Sequence, residues 1–234
     1  LETFAPAGFT FVRTTDYITA PKVSGYRSIH YIYQYSSDKQ DYDGLKIELQ
    51  IRTRLQHSWA MAVETASLIS RTSLKANIED GNIWREFFKL VSAIFAIKEE
   101  CTTPIAFADY THNNYCKEYR AYLEGHKLYD QLSALRVTVN SSDMVEDKDG
   151  YCVLSIDFNQ KKVNYKTFPQ EQEETATTVF SSLEQSVDSY EAVLLVSIAK
   201  MREIRDAYPS DFLDTREFLL ALKEFNGSCE VYKE

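Results

Sequence analysis

The chain has no run of eighteen or more apolar residues, and its first residues, Leu1-Glu2-Thr3-Phe4-Ala5-Pro6, lack the basic and apolar regions of a secretory leader. A helix that spans a bilayer needs about 20 consecutive apolar residues, so the sequence reads as neither membrane-spanning nor secreted. Cysteine is sparse: Cys101, Cys116, Cys152 and Cys229 are scattered and none falls in a Cys-x-x-Cys pair. The usual zinc and dithiol spacings are therefore missing, and the four read as reduced thiols of a cytoplasmic protein. His57-x-x-x-Met61 is not a metal pair, and His112 and His126 show no partner at ligand spacing, so zinc is not expected. There is no internal repeat, no low-complexity tract and no initiator methionine, the last suggesting a fragment or a trimmed chain.

What is present is ample material for a core: 44% apolar and 13% aromatic residues in 234, enough for one large domain or two small ones. The net charge of -9 is uneven. Residues 1–75 hold nine Lys/Arg against seven Asp/Glu, a balance of +2, and the remainder holds seventeen against twenty-eight, a balance of -11. Positive charge beside one region suits a local polyanion such as a nucleotide, and the acidic remainder speaks against an extended nucleic-acid surface. Ordinary scatter of surface charge is the competing account of so small a difference.

Hydrophobic periodicity divides the chain into elements. Residues 15–22 read as a short extended piece ending in a loop at Pro21, with Ser24-Gly25 as the turn. Residues 28–35 have strand composition, and 45–52 alternate, with Leu45, Ile47, Leu49 and Ile51 on one side and Lys46, Glu48, Gln50 and Arg52 on the other. The two are expected to be antiparallel neighbours. Helical spacing covers 54–70, with Thr53 as N-cap, and about 83–99, with a polar linker between. Further on come a Tyr-rich helix at about 115–135, strands from 136, a hairpin of 151–158 and 161–168, a helix at 171–185, a buried strand at 192–198 and a helix at 214–225 ending near Gly227. A boundary near 105–115 divides the chain into 1–108 and a small α+β module, 109–234.

Chemistry concentrates between Lys22 and Glu64. Glu48 shares a strand face with Lys46, Gln50 and Arg52; a carboxylate flanked by cations can hold a divalent metal or accept a hydroxyl proton while the cations hold phosphates. A solvated strand face with cross-strand ion pairs is the plain alternative. Tyr26 follows Gly25, where backbone can approach a ligand and the ring can stack on a base. Arg27 and His30 are phosphate-compatible, and His57 and Glu64 share a helix face that either closes a cleft or forms a polar edge.

These residues resemble the synthetase domain of the RelA/SpoT family, makers of (p)ppGpp. The matching blocks are Asp16-Tyr17-Ile18-x-x-Pro21-Lys22, Gly25-Tyr26-Arg27-Ser28-Ile29-His30, Glu48-Leu49-Gln50-Ile51-Arg52-Thr53 and Gln56-His57-x-Trp59-Ala60-x-x-x-Glu64, together within residues 13–70. The resemblance implies a nucleotidyltransferase-like mixed sheet with flanking helices, and transfer of the β,γ-pyrophosphate of ATP to the 3′-hydroxyl of GDP or GTP. It implies Tyr26 as the ring on guanine and Lys22, Arg27 and His30 as contacts to acceptor phosphates. Glu48 would be the catalytic glutamate sharing Mg²⁺, Gln50 and Arg52 supports of the site, and His57 a polar residue on the acceptor side. The family's earlier Asp-x-x-Gly-x-Arg block has no match before Gly25, so the ATP-side motif and a second metal-binding aspartate are expected upstream of Leu1, and the 234 residues alone are expected to be inactive. Relatives that modify tRNA 3′ ends or adenosine nucleotides, and a degenerate nucleotide-sensing or partner-binding protein, are the alternatives. The hydrolase His-Asp motif is absent from the sequence, and the second module could bind a regulator, support a homo-oligomer or buttress the sheet.

Overall fold

A computed structural model describes residues 7–73, 83–126, 128, 149–157, 162–186, 191–199 and 215–231. The architecture is α+β, with two three-stranded antiparallel sheets and helices between and around them. The strands expected from residue 136 onward, before the hairpin, lie outside the described residues.

The first sheet has strand order β1 (Phe9–Asp16), β2 (Ile29–Tyr35), β3 (Lys46–Ile51). β2 and β3 are antiparallel neighbours, with His30 opposite Gln50 and Ile32 opposite Glu48. β1 is as long as the extended piece read around 15–22 but starts and ends six residues earlier. Its Phe9 and Phe11 rings pack against Tyr35 and Tyr33 at centroid distances of 4.8 and 5.9 Å, cross-strand aromatic pairs that stabilise a ladder. The apolar side of β3 is not covered among the described residues: Ile47 and Leu49 are each 43% exposed.

The helices make the core. α1 (Arg54–Ser73) opens with a reciprocal capping box, Thr53 Oγ1 accepting from the Gln56 amide at 3.1 Å and Gln56 Oε1 accepting from the Thr53 amide at 3.2 Å. α2 (Ile83–Lys98) is buried almost all round, and its Phe87, Val91 and Phe95 lie at the centre of the molecule. α3 spans His112–His126, starting three residues before the predicted helix, because Thr111 and Asn114 cap it: the Asn114 amide donates to Thr111 Oγ1 and the Thr111 amide to Asn114 Oδ1.

The second sheet has order β5 (Lys162–Pro169), β4 (Gly150–Asp157), β6 (Glu191–Ser197). Its central strand and β6 are buried on both faces. Cys152, Leu154, Leu194 and Val196 join the helical core, while Val153, Phe168 and Leu195 pack on Ala176 and Phe180 of α4 (Glu173–Ser186). Alternate residues thus serve two layers, as strand geometry requires.

α5 (Arg216–Val231) runs through Gly227 rather than ending there. A glycine inside a helix costs only about 1 kcal/mol relative to alanine. Tertiary ties on the last turn offset that cost. Arg120 of α3 donates to the Cys229 carbonyl at 2.8 Å, and Cys229 is joined to Cys116 in a disulfide. The reading of four reduced cysteines is corrected here: Cys116 and Cys229 are paired across 113 residues, a closeness that linear spacing cannot reveal, while Cys101 and Cys152 are free.

One hydrophobic cluster contains Trp59 of α1, Phe88 of α2, Tyr119 of α3, Leu154 of β4 and Phe218 of α5. It crosses residue 108 without interruption. No described helix is long and apolar enough to cross a membrane.

Candidate active site

The polar face of the β2–β3 pair carries the cluster. Because His30 is opposite Gln50 and Ile32 opposite Glu48, side chains two apart on β3 stand on the same face as His30. His30 Nδ1 lies 3.1 Å from Glu48 Oε1, and its Nε2 lies 2.7 Å from the Tyr26 hydroxyl. A carboxylate only accepts, so His30 Nδ1 donates toward Glu48, while Nε2 and the Tyr26 hydroxyl share the second hydrogen bond of a Tyr26–His30–Glu48 chain, and the hydroxyl also lies 3.3 Å from Gln50 Oε1. Arg52 Nη2 donates to the same tyrosine oxygen at 2.9 Å and also reaches Gln50 Oε1; Gln50 Nε2 donates to Glu48.

Glu48 remains a carboxylate below the ordinary carboxylate range. The Gln50 amide is the principal cause, opposed in part by desolvation and assisted by His30 and Lys22. Cations also frame Tyr26, with Lys22 Nζ 5.0 Å and Arg52 Cζ 5.3 Å from its ring centroid, while Trp59 lies behind it at 6.5 Å. Arg52 Nε is buried with no hydrogen-bond partner among the described residues. A buried donor left unsatisfied is costly, and the oxygen of a ligand is the kind of group that would satisfy it.

The structure therefore brings Lys22, Tyr26, His30, Glu48, Gln50 and Arg52 together. It places Arg27 elsewhere. The Arg27 side chain is 2% exposed and its Nη1 donates to Glu99 Oε2 at 2.7 Å, facing the protein rather than the cluster. His57 lies in the first turn of α1, its amide bonded to the Thr53 carbonyl at 2.9 Å, one turn beyond the end of β3. Gly25 also has a packing role. Its φ of +88° suits glycine, and a Cβ there would stand 2.9 Å from Ser92 Cβ on α2, so the close approach is to a helix.

Sequence reasoning missed Glu99. At the end of α2 it accepts from Arg27, from Gln56 Nε2 at 3.3 Å and from Thr53 Oγ1, thereby tying the β2 entry and the α1 cap to the central helix. Nothing in the spacing marks it, because its three partners are at least 43 residues away.

The cluster also meets the demands of a hard divalent cation in part. Glu48 offers a carboxylate that is 40% exposed at the side chain, and Mg²⁺ characteristically takes one or two carboxylates with the rest of its shell from water and phosphate. A depression of about 640 Å³ lined by Tyr35, Asp38, Lys39 and Tyr42 lies at the other end of β2, away from these groups.

A carboxylate, a histidine, a tyrosine and two cations thus meet where the loop before β2 adjoins the β2–β3 face of an α+β scaffold. Residues 6–69 match the family described as the region found in RelA / SpoT proteins. The entire cluster lies inside it.

A GTP pyrophosphokinase family protein from Streptococcus pneumoniae is similar over 60% of this chain and 56% of its own, at 18% identity and a TM-score of 0.22. Small alarmone synthetase 1 from Bacillus subtilis, solved with its product pppGpp, is similar over 59% of this chain and 53% of its own, at 22% identity and a TM-score of 0.23. The chain spans little more than half the length of either. No curated protein matches it.

Proposed function

We propose that the cluster is the acceptor and catalytic side of a pyrophosphotransferase that moves the β,γ-pyrophosphate of ATP to the 3′-hydroxyl of GDP or GTP. The observation that carries this reading is the Tyr26–His30–Glu48 chain, flanked by Arg52 and Lys22, inside the stretch that matches the RelA/SpoT region. Transfer of this kind depends on alignment and charge neutralisation more than on covalent chemistry. Glu48, kept ionised, accepts the 3′-hydroxyl proton or holds Mg²⁺, and the metal, when bound, neutralises charge on the transferred group. Gln50 orients Glu48. The unsatisfied Arg52 Nε and the Lys22 ammonium meet nucleotide oxygens, and Tyr26 supports the guanine ring. Arg27, committed to Glu99, holds the strand entry in place.

The test is label transfer by the native protein from ATP carrying a labelled terminal phosphate, with Mg²⁺ and GDP, GTP, AMP or deacylated tRNA as acceptor. Label on a guanine nucleotide is expected, and Glu48→Gln should lower turnover by at least about 100-fold, the scale of a lost general base, with an unchanged circular dichroism spectrum. Label on tRNA or AMP would move the reading to the related acceptor classes. No labelled acceptor, or undiminished turnover by Glu48→Gln, would overturn it.

A further inference from the structure

The disulfide lies beside a histidine. His112 and Cys116 are one turn apart on α3, Cys229 comes from the last turn of α5, and the three ligand atoms all lie within 4.8 Å of one another. His112 Nε2 is 3.4 Å from Cys116 Sγ. In a tetrahedral zinc site with Zn–S of about 2.3 Å and Zn–N of about 2.0–2.1 Å, the S···N edge is about 3.6 Å and the S···S edge about 3.8 Å. The imidazole thus already stands close to ligand distance. The two Cα atoms of the cysteines, 5.5 Å apart, leave their sulfurs within reach of one ion once the bond between them is opened. The site is also held from outside: Phe225 packs edge-on to the imidazole at 5.8 Å, and Arg120 fixes the Cys229 carbonyl. His112 is exposed while both sulfurs are buried, which provides an entry path to an otherwise enclosed pair.

We propose that His112, Cys116 and Cys229 form a zinc site in the reduced protein, mutually exclusive with the disulfide, so that the α3–α5 junction is closed by a covalent bond in one redox state and by a metal in the other. A dithiol reductant would open the bond, passing two electrons and two protons to the protein; Cys116 and Cys229 become thiols and the reductant becomes a disulfide. Zn²⁺ then displaces the two thiol protons and gains two Zn–S bonds and one Zn–N bond to His112, with water in the fourth position. Neutral imidazole and two thiolates are a ligand set that suits Zn²⁺. The proposal departs from the sequence expectation that His112 has no partner at ligand spacing and that zinc is not expected. The spacing His112-x-x-x-Cys116 was visible in the sequence, but the third ligand comes from 113 residues further on.

The native protein is reduced with a dithiol, desalted without air and titrated with Zn²⁺ against a chromogenic zinc chelator. Reduced wild type is expected to take up about one equivalent with two thiols then shielded from a thiol reagent, the oxidised protein none, and His112→Ala to bind at least about tenfold more weakly. Equal uptake by a Cys116→Ser/Cys229→Ser variant, or none by the reduced wild type, would overturn the proposal. Cobalt(II) added to reduced wild type supplies a readout independent of how the variants fold. A thiolate-to-cobalt charge-transfer band supports the site, and a spectrum of oxygen-ligated cobalt refutes it.

Discussion

Tyr26 and Glu48 occupy opposite ends of the same hydrogen-bonded chain and so fail differently when replaced. Tyr26→Ala removes an aromatic surface, and base–aromatic contacts are worth about 1–3 kcal/mol; guanine-nucleotide affinity, read by calorimetry, is expected to fall about tenfold. Glu48 also sets the acid limit of the site. Its folded-state pKa is below the ordinary value of a glutamate, so the stabilisation it contributes is present above the unfolded pKa and is lost as pH falls through the lower folded value. Ionisation of Glu48, followed by carboxylate infrared or NMR titration, should therefore persist below pH 4.5, and Gln50→Ala, which removes the principal cause, should move its midpoint upward. Cys152 illustrates the opposite effect. Burial pushes its thiol up to about 12, leaving it a packing residue rather than a nucleophile.

At the level of elements, the site depends on three chain segments meeting at Glu99. The loop into β2 brings Arg27, the cap of α1 brings Thr53 and Gln56, and the end of α2 brings the carboxylate. Removing one partner of a buried ion pair leaves the other uncompensated, at a cost of about 3–5 kcal/mol. Arg27→Ala is thus expected to lower the denaturation midpoint as well as activity. A phosphate contact at the surface would instead reduce nucleotide affinity and leave stability nearly unchanged, and chemical denaturation distinguishes the two. β3 behaves otherwise: it is an edge strand whose residues from Lys46 to Ile51 are all exposed, so its side chains serve the site and its open apolar side contributes little packing.

Over the whole molecule, the hydrophobic cluster argues for cooperative behaviour. Phe218 of α5 is fully buried and its ring lies 5.7 Å from Phe88 and 5.6 Å from Phe95, both on α2. The boundary proposed near residue 109 is a change in chain texture, and the core does not break there. Phe218→Ala should cost about 3–5 kcal/mol, and the fluorescence of Trp59 and Trp84, in the first part of the chain, should report its unfolding in the same transition as far-UV circular dichroism. Two separated transitions would show that the parts fold independently.

Local pattern was enough for β2, β3, α1, α2, the β4–β5 hairpin and α4, because alternation of period two and apolar stripes of helical period are written in neighbouring residues. It was enough as well to gather Lys22, Tyr26, His30, Glu48, Gln50 and Arg52 as one constellation, since they lie on two adjacent strands and the loop before them. The direction in which Arg27 points, the role of Glu99, the packing reason for Gly25 and the closeness of His112, Cys116 and Cys229 were decided only in three dimensions. Each depends on contacts between segments far apart in sequence, and those distances are set by how helices and sheets pack around a common core.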